Sequence, residues 1–212
     1  MIYDILPETR GMKIPGISIT TTLLLVACTT QSGYDPLEDY EELDATTIID
    51  APSPPPDAVA PENRAAVARG EYLVELLGCG ACHTDGALIG RPQMERSLAG
   101  SETGIAYTNP LQFRHPGVVY PPNITPDDET GIGSWTDRQI ADAIRAGLGR
   151  HMPRRNLVMP WQGYAKLTDD DVYAIVGYLR SIDPVYHRVP ENVPPGRPAT
   201  HPFVHFGVYR SR

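Results

Sequence analysis

Residues 78–86 read Gly-Cys-Gly-Ala-Cys-His-Thr-Asp-Gly, which sets Cys79, Cys82 and His83 within five consecutive positions. A C-x-x-C pair serves three chemistries: a redox disulfide, half of a zinc site or, with histidine immediately after it, covalent attachment of haem. Each demands different surroundings, so this short stretch constrains the whole chain.

A structural zinc site needs four ligands, usually supplied by a second Cys or Cys/His pair. The only other cysteine is Cys28, far upstream in an apolar N-terminal stretch. A thioredoxin-type pair follows a strand and opens a helix in an α/β pattern, whereas here the pair follows a helix-like run in a chain without convincing strands. Haem attachment uses two thiols for two vinyl groups and the adjacent imidazole as an iron ligand. Cys79, Cys82 and His83 meet that demand with nothing left over, and one such motif predicts one covalent haem c. The residues themselves leave the sixth iron ligand open among Met94, Met152, Met159, His115, His151, His187, His201 and His205. That choice matters, because a fixed ligand favours electron transfer and an open position favours binding of small molecules.

Charge separates the chain into two parts. Residues 1–62 hold two basic and eleven acidic side chains, net −9, whereas residues 63–212 hold sixteen basic and fifteen acidic, net +1. With no basic excess to neutralise phosphates, the nearly neutral part is not expected to bind nucleic acid. Residues 1–27 carry the order of an export signal, with Lys13 ahead of the apolar run IPGISITTTLLLVA. Met12 offers a second start, so residues 1–11 are expected to come from an early start assignment. Leu25 to Cys28, LVAC, resembles a bacterial lipoprotein box and predicts lipidation at Cys28, hence a lipid-anchored protein on the periplasmic side of a membrane. The apolar run is too short and too rich in Thr and Ser for a transmembrane span. Acidic, proline-rich residues 28–63 lack a sustained apolar period and predict a disordered tether.

Helical signals begin at Arg64–Gly78, where Val67, Tyr72, Val74, Leu76 and Leu77 suggest an amphipathic helix leading into the cysteine motif. A second helix is marked by a capping box at Thr136 and Gln139, a face of Ile140, Ala143 and Ile144, and Gly147 as a stop. A third opens with Thr168 and three aspartates and carries the stripe Val172, Ile175, Val176 and Leu179. Long Pro- and Gly-rich stretches connect them. The expected class is all-α, a few helices and long loops over residues 64–186, followed by a Pro-rich extension at 187–212 that serves as a belt or docks a partner.

Three stretches carry a resemblance: ARGEYLVELLGCGACH at 68–83, PNITPDDETGIGSWT at 122–136 and MPWQGYAKLTDDDVYAIVGYLRSI at 159–182. Together they resemble the class I c-type cytochrome domains of bacteria. More narrowly, they resemble the domains repeated in the haem subunits of alcohol and gluconate dehydrogenases, and the single-haem relatives of those domains. The resemblance implies a cytochrome c-like fold around one covalent haem, with Met159 of the M-P-W stretch as the distal ligand opposite His83. It implies a carrier of single electrons that is not itself an enzyme. Its partners would be redox proteins, with a donor dehydrogenase or complex on one side and an oxidase, reductase or reaction centre on the other. A dedicated subunit of one periplasmic dehydrogenase is the alternative, and a haem sensor or haem enzyme with a displaceable sixth ligand the third. Leu76, Leu77, Ile124, Trp135, Ile144, Leu157, Trp161 and Tyr164 are expected around the haem, Trp135 and Trp161 also being candidate hydrogen-bond donors to a propionate. Arg145, Arg154 and Arg155 are candidate propionate partners.

Overall fold

The computed structural model describes residues 49–149 and 158–206. Helices α1 (Arg64–Leu76) and α5 (Asp169–Ser181) pack face to face and bracket the shorter α2 (Cys79–His83), α3 (Asp137–Ala146) and α4 (Trp161–Tyr164). Val67, Gly70, Leu73 and Val74 form the buried face of α1. Tyr72 and Leu76, expected on that face, stand exposed instead. The i, i+3, i+7 spacing of Val67, Gly70 and Val74 makes the true stripe, and its middle member is a glycine that an apolar-residue search passes over.

Gly70 is where α5 comes closest. A Cβ built there would lie 2.0 Å from the carbonyl oxygen of Ala174 and 2.7 Å from the Cβ of Tyr178. Overpacking a core typically costs about 1–3 kcal/mol. Since backbone is the obstacle, Gly70→Ala is expected to fall at the upper end, about 3 kcal/mol, in chemical denaturation. Gly177, on α5, offers the contrast: a Cβ there meets only a Val67 methyl, 4.0 Å away. Gly177→Ala is therefore expected to be neutral or to stabilise by up to about 1 kcal/mol, the helix-propensity gain. Equal destabilisation by both would show that close approach is not what Gly70 serves.

The polar ends of the helices follow their sequence signals. Thr136 accepts from the Gln139 backbone N–H while the Gln139 side chain accepts from the Thr136 N–H, completing the capping box of α3. Thr168 caps α5, whose first turn holds Asp169, Asp170 and Asp171 where the helix dipole favours negative charge. Arg145 on α3 pairs with Asp169 at 2.6 Å. Arg180 at the end of α5 donates to the carbonyls of Ile132, Gly133 and Trp135 and pairs with Asp137, which fixes the loop ahead of α3.

The expectation of an all-α fold needs correction. A three-stranded sheet is present, in the order β2 (Val118–Val119), β1 (Gly104–Ala106), β3 (Phe203–Val204). β1 runs antiparallel to β2 with Ile105 opposite Val119, and parallel to β3 with Ile105 opposite Val204. Strands of two or three residues are too short to show a period of two. β3 also belongs to the C-terminal extension, which runs along the domain: Val118 and Val193 exchange backbone hydrogen bonds at 2.8 and 2.9 Å, and Tyr120 Oη donates to the carbonyl of His201.

A second difference lies at the N-terminal side. Residues 49–63, within the expected tether, lie against the domain. Ala51 N–H donates to Glu75, Ser53 to Glu71, and the fully buried Tyr178 donates its hydroxyl to the Pro52 carbonyl at 2.7 Å. Ala51 and Val59 pack on the core. The proline cluster that reads as tether leaves its carbonyls free as acceptors, because proline constrains the chain without adding a donor. No helix among the described residues is long and apolar enough to cross a membrane.

Candidate functional site

α1 ends at Leu76, and Gly78 turns the chain in a left-handed conformation (φ 67°) that feeds directly into α2. Cys79, Cys82 and His83 therefore all sit on one short helix. They line a pocket shared with Gly78, Ile105, Val119, Pro121, Pro122, Val158, Met159, Pro160 and Tyr164. β1 and β2 contribute Ile105 and Val119, the segment after β2 contributes the two prolines, and the entry to α4 contributes Met159. The walls are aliphatic, aromatic or proline apart from these sulfur and imidazole groups.

The histidine is held from behind. His83 Nδ1 lies 2.7 Å from the Pro122 carbonyl. A carbonyl can only accept, so Nδ1 carries the proton and Nε2 is left as the basic nitrogen, the tautomer an iron-ligating histidine needs. Burial lowers the His83 pKa, with the Pro122 hydrogen bond working against it. The ring is thereby kept neutral and ligand-competent. Pro122 is held by its neighbour Asn123, which is nearly fully buried and donates to the Val185 carbonyl at 2.7 Å and to Thr130 at 3.0 Å. Gly100 N–H reaches the His83 carbonyl at 2.7 Å.

Electrostatics separate the three chemistries of the cysteine pair. Burial pushes the Cys79 thiol up to about 12, with Cys82 adding to the rise, and burial likewise raises Cys82. Redox and nucleophilic cysteines are activated by the opposite shift. A closed zinc site would bring at least a third ligand alongside; the one group of three or more converging His, Cys, Asp or Glu ligands among the described residues lies elsewhere. Two neutral thiols, a proton-locked imidazole and a thioether around an apolar pocket fit a covalently held haem in their chemistry. Tyr164 shares the pocket and gives its hydroxyl to the Leu77 carbonyl at 3.1 Å, and burial raises its pKa to about 12, so it too stays neutral.

A family model described as cytochrome c matches residues 67–183, more than half of the chain. The chain belongs to the cytochrome c family. Similar curated proteins include the cytochrome c subunit of a quinone-dependent alcohol dehydrogenase from Gluconobacter oxydans (strain 621H), 34% identical over 125 residues, covering 58% of this chain and 23% of that one. The fructose dehydrogenase cytochrome subunit of Gluconobacter japonicus is 34% identical over 137 residues, covering 65% and 25%. A dihaem c-type cytochrome of Cereibacter sphaeroides is 28% identical over 116 residues, covering 55% and 36%. The cytochrome thus spans about a quarter of the length of the dehydrogenase subunits it matches. Family membership carries covalently bound haem c, iron and an electron-transfer role.

Of the sixth-ligand candidates that the cytochrome's described residues include, Met159 alone lines the pocket with His83. Met94 lies in a surface 3-10 turn, His115 lines a separate surface pocket, His187 bonds to the Ala99 carbonyl, and His201 meets the Tyr120 ring edge-on. His205 follows β3 with a buried Nδ1 that has no hydrogen-bond partner among the described residues. Met152, His151, Leu157, Arg154, Arg155 and the lipidation candidate Cys28 lie outside the described residues. Of the expected wall residues that are described, only Tyr164 lines the pocket. Leu77, Ile124, Trp135 and Ile144 belong to the helical core instead, Leu76 is exposed, Trp161 opens α4, and Arg145 is engaged by Asp169. Ile105, Val119, Pro121 and Pro122 were missed because they sit on or just after strands too short to read. Pro122 and Asn123 do open the PNIT stretch that carries the resemblance, and that was the available signal.

Proposed function

We propose that this cytochrome is a membrane-tethered, periplasmic carrier of single electrons with one haem. In this reading Cys79 and Cys82 would hold the haem through thioethers, and His83 and Met159 would supply its two protein iron ligands. Bound there, haem supplies one-electron exchange between ferrous and ferric iron. The observation that carries the reading is the convergence of Cys79, Cys82, His83 and Met159 on one apolar pocket.

The cytochrome's residues account for the rest. Pro122 orients His83 and fixes its proton on Nδ1. The thioether of Met159 would favour ferrous iron relative to a second imidazole and so raise the potential, and as a fixed ligand it would deny small molecules a binding position. Ile105, Val119, Pro121 and Tyr164 keep water from the pocket, so that little solvent reorganises when charge moves.

Delivery is the second part of the proposal. Residues 1–27 act as an export signal, Cys28 receives the lipid, and the acidic segment from there to residue 48 links the lipid to the domain. Cys28→Ser is expected to move the holoprotein from the membrane fraction to the soluble fraction with its haem intact; full retention on membranes would refute lipid anchoring at Cys28. Partners are redox proteins, a donor dehydrogenase or complex and an acceptor oxidase, reductase or reaction centre.

The names of the relatives favour a second reading, a dedicated subunit of one periplasmic dehydrogenase. Affinity capture from native membranes separates the two. A carrier emerges alone or with several substoichiometric partners, whereas a subunit emerges with one dehydrogenase in fixed ratio.

A further inference from the structure

We propose that Asp85, Glu102 and His187 form a site for a first-row divalent cation, with zinc the representative. The inference is independent of the haem reading, because none of these side chains lines the haem pocket. Asp85 and His187 are buried, Glu102 is half exposed, and one ligand atom from each lies within 4.8 Å of the others.

His187 is arranged as a ligand. Its Nδ1 lies 2.8 Å from the Ala99 carbonyl, which can only accept, so in the tautomer with one ring proton Nε2 is the nitrogen left with a lone pair. That nitrogen lies 3.5 Å from Glu102 Oε1, so two acceptors face one another with the Asp85 carboxylate alongside. Lone pairs converging in this way call for a positive charge between them. With metal–ligand bonds of about 2.0–2.2 Å, the edge of a tetrahedral zinc site is about 3.3–3.6 Å, close to the separation already present between His187 and Glu102. The half-exposed Glu102 has freedom to close the remaining distance, and the solvent side leaves a position for water.

Asp85 is braced in the manner of a ligating carboxylate, whose outer partners fix its orientation. Arg96 donates to its Oδ2 at 3.0 Å and Gln93 at 3.2 Å; Glu102 N–H donates to its Oδ1 at 2.9 Å and Ser101 reaches the same atom at 3.4 Å. Two carboxylates, one guanidinium and a neutral imidazole sum to −1, which a divalent cation converts to +1 without a large unpaired charge. One nitrogen and two oxygens suit zinc and its first-row neighbours.

A cation here cross-links positions 85 and 102 to 187 and so ties the C-terminal extension to the loop behind the haem-attachment helix. That loop includes Gly100, whose N–H holds the His83 carbonyl. Binding to the native state alone makes thermal stability depend on zinc concentration.

The test uses chelator-treated full-length holoprotein, titrated with zinc alone by isothermal calorimetry. One zinc per chain is expected, accompanied by a rise in melting temperature. Glu102→Gln keeps the backbone N–H that braces Asp85, so it should fold normally while weakening zinc binding about tenfold or more, as even outer-shell partners do. His187→Ala should abolish the binding, and His115→Ala and His201→Ala should leave it unchanged. Zinc-edge X-ray absorption should show a nitrogen and oxygen shell including one imidazole. Absence of zinc binding overturns the proposal. So does binding that Glu102→Gln leaves unchanged, which would mean that a proton or Arg96 alone satisfies the cluster.

Discussion

Cys79→Ser and Cys82→Ser are each expected to yield a chain that retains far less haem after denaturing extraction than the wild type, and the double substitution should retain none covalently. The expectation follows from where the thiols sit. Both lie on the five-residue helix α2, both line the pocket, and burial raises the pKa of both. Burial does not activate them as a redox pair, and no closed set of four metal ligands gathers around them among the described residues, so covalent attachment is the chemistry that fits them. Each single variant keeps one sulfur and should therefore fall between wild type and double variant. The folded domain should suffer as well, since a ligand bound only by the native state contributes to its stability. Intact-mass measurement under denaturing conditions reads the outcome, and wild-type covalent haem in both single variants would remove the attachment assignment.

Met159→Ala is expected to lower the reduction potential by on the order of 0.1 V, within the roughly 0.8 V that axial ligation and surroundings span. It should also open the iron to carbon monoxide in the reduced state. Met159 shares the pocket with His83, and its own carbonyl accepts from the Trp161 N–H at 2.8 Å, which anchors the residue to the start of α4. Position and donor chemistry thus coincide at this residue. Met94→Ala should change neither property, because Met94 sits in an exposed 3-10 turn. Met152→Ala should change neither if Met159 is the ligand. An unchanged potential in Met159→Ala, with a lowered one in Met152→Ala, would exchange the two assignments.

What could be read from the sequence was what local chemistry dictates. The capping box at Thr136 and Gln139 and the aspartate run after Thr168 are signals contained within a few residues, and each took the local form expected; the Cys-x-x-Cys-His spacing is equally local and falls on one short helix. What could not be read depends on distant parts of the chain. β1 pairs with a strand that starts at Phe203, and strands this short carry no period of their own. Gly70 marks the helix crossing more firmly than any apolar residue on α1, yet its role shows only when Ala174 stands against it. Most of the described residues expected in the pocket wall lie elsewhere, for the same reason. Apolar residues of the helices, such as Ile144 and Leu77, go to the helix core, while the pocket takes its aliphatic lining from the sheet and from Pro121 and Pro122. The partner of His83 is a backbone carbonyl, a group that no residue identity announces.

With His83 and Met159 as its ligands, a single haem iron would exchange one electron at a time and offer no free position to small molecules. A spectroelectrochemical titration of the purified full-length holoprotein, run with and without carbon monoxide, tests it most directly. One reversible transition of one electron per chain is expected, at the same potential in both runs, because Met159 as the sixth ligand would hold the position that carbon monoxide needs. A second transition, or a transition that shifts upward under carbon monoxide, would contradict it.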